Sequence, residues 1–592
     1  MKKKSGRKKK TLLSGNEAVA RGAWEAGCKV AAAYPGTPST EILENIVKYP
    51  EVYAEWSINE KVALEVASGA CFSGARALAA MKHVGLNVAA DPMFTMGYSG
   101  VTGGLVIVSA DDPGLWSSQN EQDNRHYGRH AKIPILEPAD SNEAKLFTKF
   151  AFEISEKFDT PVMLRLTTRV CHSTCIVDLT ERKEIKIRGY KKEIKKRLFL
   201  PVHGRLRHIL IEERSKKLAN YSELFPYNKI EWNEKRLGIV TSGISYHHAK
   251  DVFPDASFLK LSFTYPLPEK LIKKFAKNVK KIVVVEEGDP IIENEIKAMG
   301  IKVTGKEKIP LCGELTPKIL RNSFSKKAKP VQKKSEIPAR PPVLCPGCPH
   351  RGVFYVINKL KLISMGDIGC YTLGALPPLS AMDTCICMGA GITNAHGLEK
   401  AQGEDISKNM VAVLGDSTFF HSGITGLVNA VYNKSNLNLI ILDNFTTAMT
   451  GHQPHPGTGR LAAGEQGKRV PPEGIARGCG VEFVRIVNPD NLIEIEQNIK
   501  DALEYDGVAV LIFRKPCALL VKPKPPFEIN EDLCNGCRLC LRIGCPAISL
   551  EFPKNRKKPL AVIDQALCVG CELCVQLCNR DAIALSRRRL MR

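Results

Sequence analysis

The chain has 592 residues, 44% apolar and 25% charged, with 85 Lys and Arg against 62 Asp and Glu for a formal charge of +23. That length supports three or four domains with their own cores and excludes a small disulfide-stapled secreted scaffold, although cysteine totals 20. No apolar run reaches the roughly 18 residues that span a bilayer, and the basic start MKKKSGRKKK leads into no signal core, so a cytoplasmic protein without a membrane partner is expected.

In chain order, NEAVARGAWEAG (16–27) has helical spacing, KVAAAY (29–34) reads as a buried strand, and NEKVALEVASGACFSG (59–74) is helical again. RALAAM (76–81) and GLVIVSA (104–110) predict strands, SNEAKLFTKFAFEISEKF (141–158) a long amphipathic helix, and PVMLRLTT (161–168) a further strand. This alternation over 11–180 implies an α/β block built on a parallel sheet with helices on both faces. Tyr98, Trp116 and Tyr127 are candidate lining of an apolar pocket, or core. Arg125 fits either bidentate pairing with a ligand carboxylate or a surface salt bridge.

Residues 181–233 are basic and too weakly patterned to assign. A smaller α/β block at 236–321 contains strands LGIVTS (237–242) and KIVVVEE (281–287) and helix PIIENEIKAMG (290–300). A Lys/Pro-rich linker follows at 322–342. Much of the basic excess lies in runs at 2–10, 182–196, 326–334, 554–558 and 587–592. These read as solvated tails and linkers, and because no nucleic-acid motif accompanies them, no nucleic-acid partner is expected.

A third α/β block spans 343–520, with strands MVAVLG (410–415), NLIILD (438–443) and VAVLIF (508–513) and helices at 421–434 and 491–505. In a doubly wound sheet, ligands bind beyond the carboxyl ends of the strands. Asp416 and Asn444 each follow such a strand, one strand–helix–strand step apart. A carboxylate, an amide oxygen and a carbonyl at Thr446 suit Mg²⁺, often shared with phosphates, and Gly415 permits close backbone approach to a diphosphate. Ahead of these, CPGCPHR (345–351) places Cys348 and His350 beside Cys345, which alone also fits a zinc half-site.

The chain closes on Cys534-x2-Cys537-x2-Cys540-x4-Cys545-Pro546 and Cys568-x2-Cys571-x2-Cys574-x3-Cys578. In a two-cluster ferredoxin the fourth cysteine of each run ligates the other run's cluster. The spacing therefore predicts one 4Fe–4S centre on Cys534, Cys537, Cys540 and Cys578 and a second on Cys568, Cys571, Cys574 and Cys545, in a compact module at 526–586. Structural zinc is the alternative, but it needs only four ligands. Asn579 stands where the usual run has proline.

The segment GDSTFFHSGITGLVNAVYNKSNLNLIILDNFTTAMTGHQ (415–453) resembles the thiamine diphosphate motif, with Ser417 where many such enzymes have a second glycine. With CPGCPHR, MGDIGCYTLG (365–374), DTCICMGAGI (383–392) and YPGTPSTE (34–41), it is most similar to the 2-oxoacid:ferredoxin oxidoreductases. The module order over roughly 11–585 resembles the large (alpha) subunit of the branch that takes aryl 2-oxo acids such as indolepyruvate. The resemblance implies a pyrimidine-binding thiamine diphosphate domain at 11–180, a small transketolase C-terminal-like domain at 236–321, a diphosphate-binding domain at 343–520 and the cluster domain at 526–586. It also implies Mg²⁺, with Gly415, Asp416, Ser417, Asn444, Thr446, Cys348 and His350 at the cofactor. By the same carry-over, Glu60 faces the pyrimidine and Thr37 the substrate carbonyl. On the residues alone, Glu60 is equally a first-turn acid favoured by the helix dipole and Thr37 a turn residue.

The implied reaction is oxidative decarboxylation of a 2-oxo acid with coenzyme A as acyl acceptor and ferredoxin as electron acceptor. It would be performed under anaerobic conditions with a smaller beta subunit as partner in a hetero-oligomer. Basic residues near the clusters would steer acidic ferredoxins. Two alternatives stay open: a non-oxidative thiamine decarboxylase, and an electron-transfer subunit whose thiamine domains are only a platform.

Overall fold

The computed structural model describes residues 9–325, 342–554 and 556–586. Most of the N-terminal lysine run, most of the Lys/Pro linker and the last basic run lie outside them. The chain divides into two compact units, Met1–Ile337 and Pro338–Arg592. No helix among the described residues is long and apolar enough to cross a membrane.

The first unit is built on a seven-stranded sheet ordered Phe263–Tyr265, Ile135–Leu136, Val162–Thr167, Leu105–Asp111, Ala77–Lys82, Val30–Ala33, Tyr53–Trp56. Every pairing is parallel except that of Phe263–Tyr265, which the second sequence block lends to the sheet of the first. Alternate strand residues feed two separate cores: Leu78, Ala80, Val106 and Val108 one, Ala77, Ala79, Leu105 and Ile107 the other. Both faces are therefore covered, which is why these strands read as apolar runs rather than as alternation. A second sheet orders Ile282–Val285, Glu234–Ser242, Ala256–Leu261 and Lys229–Glu231, the last antiparallel. The stretch left unassigned in the sequence holds a 22-residue helix, Pro201–Ser222.

The second unit centres on five parallel strands ordered Ile363–Met365, Met410–Gly415, Leu437–Asp443, Val508–Arg514, Phe483–Val487. Val411, Val413, Ile440 and Leu442 face one core, and Ala412, Leu414, Leu439 and Ile441 the other. The helix expected over 421–434 begins earlier and is interrupted: Asp416–Thr418, a π-type turn Phe419–Gly423, then Ile424–Tyr432. The C-terminal cysteine segment has two small antiparallel pairs, Phe527–Ile529 with Ile583–Leu585 and Ile548–Glu551 with Leu560–Ile563. Its Phe527, Ile543, Ile548, Ile563 and Leu573 join one hydrophobic cluster with Val413, Leu442 and Phe513 of the sheet.

Candidate functional site

Gly415↔Leu442 is the last register pair between the strands Met410–Gly415 and Leu437–Asp443, so the residues that follow each strand emerge side by side. Asp416 is 3% exposed. Its Oδ1 accepts the Ser417 N–H at 2.8 Å and its Oδ2 the Asn444 N–H at 3.1 Å. Asn444 Oδ1 accepts the Thr446 N–H at 3.2 Å, and both residues are buried. Thr446 Oγ1 is buried without a hydrogen-bond partner. An orphaned hydroxyl, an amide oxygen with a lone pair to spare and a single carboxylate form an oxygen-rich set, the chemistry a hard cation prefers. Among the described residues no three His, Cys, Asp or Glu side chains gather in a way that could hold a metal ion. The set therefore suits Mg²⁺ that arrives with phosphate oxygens to complete its shell.

Two histidines complete the surroundings. His455, which the sequence reading missed, accepts the Gly457 N–H on Nδ1 at 3.2 Å and places Nε2 3.1 Å from Asp416 Oδ2. His350 opens the helix His350–Leu360 and brings Nε2 to 3.5 Å from Asn444 Nδ2. Burial lowers the His350 pKa to about 4 against the opposing Asp416 charge, so its imidazole is neutral at physiological pH. Asp443 is pushed up to about 6 by burial and by the Asp416 charge, while Arg514 Nε donates to its Oδ2 at 2.6 Å. Burial raises Asp416 too, but His455 and the Ser417 N–H outweigh it and leave the carboxyl below its ordinary value. Of the two carboxyls, Asp416 is therefore the stronger acid. Gly415 is needed for space: a Cβ there would lie 2.7 Å from the Tyr371 ring, whose hydroxyl donates to Ile368 O at 2.8 Å. Ser417 Oγ accepts from Thr447 Oγ1 at 2.9 Å.

In the first unit, Glu60 is the first residue of the helix Glu60–Phe72, behind an Asn59 cap that accepts the Val62 N–H at 2.9 Å. It is 5% exposed, and a Cβ at Gly85 would meet its Oε1 at 2.4 Å, so glycine there makes room for the carboxylate. An ordinary helix-start acid would face solvent. Thr37 is half-buried and its carbonyl accepts from Ser117 Oγ at 3.0 Å. Arg125 is neither of the things its sequence context suggested. It is 1% exposed and donates to both Asp123 oxygens, to Glu286 Oε2 at 2.7 Å and to the Glu287 and Asp289 carbonyls, which leaves it no capacity for a ligand carboxylate. Tyr98, Trp116 and Tyr127 do not converge on a pocket: Tyr98 packs on His208, Tyr127 on Phe94, and Trp116 is 66% exposed.

The eight C-terminal thiols separate into two hollows. One, of about 420 Å³ counted with the solvent at its mouth, is lined by Cys545, Cys568, Cys571 and Cys574. The other, about 350 Å³, is lined by Cys534, Cys537, Cys540 and Cys578. Burial, then Cys571, Cys545 and Cys568, push the Cys574 thiol up to about 12. Burial, then Cys537 and Cys534, push Cys540 up to about 11. Thiols crowded in this way ionise readily only against a bound cation. Cys370 and Cys517, given no role in the sequence, join the CPGCPHR pair: Cys370 is raised to about 11 by burial, Cys517 and Cys345, and Cys348 to about 12 by burial, with Cys370 and Cys345 adding to it. Cys517 also feels Asp416, and its Sγ lies 3.7 Å from His452 Nε2.

Two family models match the chain. "Pyruvate flavodoxin/ferredoxin oxidoreductase, thiamine diP-bdg" covers residues 21–221, and "Thiamine pyrophosphate enzyme, C-terminal TPP binding domain" covers 367–513. The chain is 42% identical to the indolepyruvate oxidoreductase subunit IorA of Archaeoglobus fulgidus, over 92% of this chain and 93% of that one. It is also 42% identical to the IorA subunit of Thermococcus kodakarensis, over 93% of each. Among solved structures, a 2-oxoglutarate:ferredoxin oxidoreductase from Magnetococcus marinus aligns with a TM-score of 0.45 at 17% identity, over 53% of this chain and 64% of that one.

Proposed function

The chain belongs to the indolepyruvate oxidoreductase IorA family of 2-oxoacid:ferredoxin oxidoreductases, with thiamine diphosphate-binding domains in both units, and from that premise we propose that it is a large subunit oxidising an aryl 2-oxo acid. In the reaction the C1–C2 bond of the 2-oxo acid breaks and CO₂ leaves. The acyl carbon forms a thioester with coenzyme A, whose thiol proton is released, and two electrons pass one at a time to ferredoxin. A smaller beta subunit completes the enzyme. The segments 11–180, 236–321, 343–520 and 526–586 serve as pyrimidine, small α/β, diphosphate and cluster modules.

Bound thiamine diphosphate supplies the carbon nucleophile and electron sink that the side chains lack. Asp416, Asn444 and Thr446 would hold Mg²⁺ with the diphosphate, with Gly415 and Ser417 leaving room for it and His350 as a neutral neighbour. Glu60 would hold a proton toward the pyrimidine of the cofactor, and Thr37 would lie toward the substrate carbonyl. The quartets around the two hollows hold 4Fe–4S clusters, and the segregation of their thiols is the observation that carries this reading. Cys348, Cys370 and Cys517 are each raised by burial with Cys345 adding to it, Cys517 also feels Asp416, and we read the four as a third cluster site and the entry point for electrons.

The test is an anaerobic assay of the protein with its partner subunit and coenzyme A, comparing indolepyruvate, phenylpyruvate, pyruvate and 2-oxoglutarate by ferredoxin reduction. Fastest turnover of an aryl substrate is expected. Release of free aldehyde without acceptor reduction would instead make the protein a decarboxylase, and failure to bind thiamine diphosphate would reduce its thiamine domains to a platform.

A further inference from the structure

With Arg125 committed to its own ion pairs, the substrate's carboxylate needs another cation. Lys82 ends the strand Ala77–Lys82, one residue before the helix His83–Val88. Its stem lies along Gly36: a Cβ there would meet Lys82 Cγ and Cδ at 3.1 Å. The ammonium donates to Ser117 O at 2.9 Å, and Ser117 Oγ in turn donates to Thr37 O at 3.0 Å. Lys82, Ser117 and Thr37 therefore form one rim, with the lysine half-buried and its head still within reach of solvent.

What Lys82 lacks is a carboxylate in contact with it. Among the described residues no carboxylate lies within ion-pair distance of it. Asp112, the acid that acts on it most strongly, is already satisfied by Ser117 N at 2.8 Å, Ser118 Oγ at 2.7 Å and Thr168 Oγ1 at 2.7 Å. Glu60, the other acid that acts on it, packs against Gly85. The neighbouring His83 ring is fully buried, faces Asn120 O at 3.1 Å through Nε2 and leaves Nδ1 unpartnered. A half-buried ammonium with one protein acceptor has donors left over, and an anion placed on it would gain a charge-assisted hydrogen bond. Burial lowers the Lys82 pKa to about 8, with Asp112 and Glu60 opposing, so it still carries its charge at neutral pH.

We propose that Lys82 is the substrate-binding residue that takes the carboxylate of the 2-oxo acid, on the rim it shares with Ser117 and Thr37. This rests on the thiamine-dependent reading above. It gives the first unit a role in selecting 2-oxo acids over neutral ketones.

The experiment compares the assembled enzyme, wild type against Lys82→Met and Lys82→Arg, using phenylpyruvate as substrate and phenylpyruvamide as an uncharged competitor. Loss of one partner of a desolvated charge pair should raise the phenylpyruvate KM about 100-fold in Lys82→Met. The amide's inhibition constant should move less than about 3-fold, because it never had the ion pair, and Lys82→Arg should recover part of the loss. Equal weakening of acid and amide, or no change in either, overturns the proposal. Should Lys82→Met fail to bind thiamine diphosphate, Lys82→Gln and Lys82→Arg carry the same comparison. A wild-type enzyme that binds no 2-oxo acid sinks the functional reading and the lysine with it, whereas an active wild type with an indifferent Lys82→Met sinks only the lysine.

Discussion

The Asp416 carboxylate accepts the backbone N–H of Asn444 at 3.1 Å across 28 residues of sequence. One bond thus locks the ends of two adjacent parallel strands, and both side chains are buried. Asp416→Ala removes the proposed acidic ligand and that lock together. Losses confined to a metal's outer shell cost about 10–100-fold, so Mg²⁺-dependent thiamine diphosphate binding should weaken by more than about 100-fold. Calorimetry on the variant decides this, and near-native affinity would remove Asp416 from the cofactor site.

Glu60→Gln should leave cofactor affinity within a few-fold of native and lower turnover by about 10²–10⁴, the usual worth of a positioned proton-transfer group. The buried position against Gly85 accepts an isosteric amide without a clash that a larger side chain would make. Exchange of the thiazolium C2 proton at the native rate, followed by NMR, would show that Glu60 has no such role.

Cys578→Ser should damage the cluster in the hollow it lines with Cys534, Cys537 and Cys540, although Cys578 belongs in sequence to the second run. Electron paramagnetic resonance of the reduced protein separates the two centres, and injury confined to the Cys568–Cys574 side would refute the interleaving. Anaerobic iron analysis bears on the third quartet: about twelve irons per chain supports it, and about eight, with Cys370→Ser causing no change, dismisses it.

Glu287 is buried with Oε1 accepting the Leu315 N–H at 2.8 Å and Oε2 unpartnered. Burial, partly opposed by the Leu315 N–H and Arg165, raises its pKa from 4.5 to about 7. A raised folded-state value means the folded form holds its proton more tightly, so the stability this group contributes is complete below 4.5 and is lost as pH climbs through about 7. Glu287→Gln abolishes that dependence. Its Tm relative to wild type should be higher at pH 8 than at pH 5 by a few degrees, read by calorimetry, and an offset equal at both values would rule this out.

The parallel strands were legible because doubly buried strands read as unbroken apolar runs, MVAVLG and NLIILD among them. The helix Pro201–Ser222 was not, because its sides are exchanged. Its inward positions include Arg207 and Arg214, which donate to the Tyr98 and Gly97 carbonyls at the end of the helix Ala90–Ser99, while Val202, Leu206 and Ile209 face solvent. A periodicity search reads such a helix with the wrong side inward. The grouping of the eight C-terminal cysteines was legible from spacing, since the fourth cysteine of each run lines the hollow of the other. Cys370 and Cys517 carry no such local signature, and the fold brings them together from opposite ends of the sheet's sequence. His455 was hidden for the same reason, reaching Asp416 from a loop beyond the motif.

Phe527, Ile543, Ile548 and Leu573 of the cysteine segment share one hydrophobic cluster with the strands that present Asp416 and Asn444. Arg351, next to His350, donates to the Ile543 and Gly544 carbonyls of that segment. On the proposed ligation, metal binding to the thiols is folding energy for the same body that must hold the diphosphate. Iron supply and vitamin affinity would then be linked: a chain starved of iron would hold its organic cofactor less tightly without any change at Asp416, and bound cofactor would help retain the clusters.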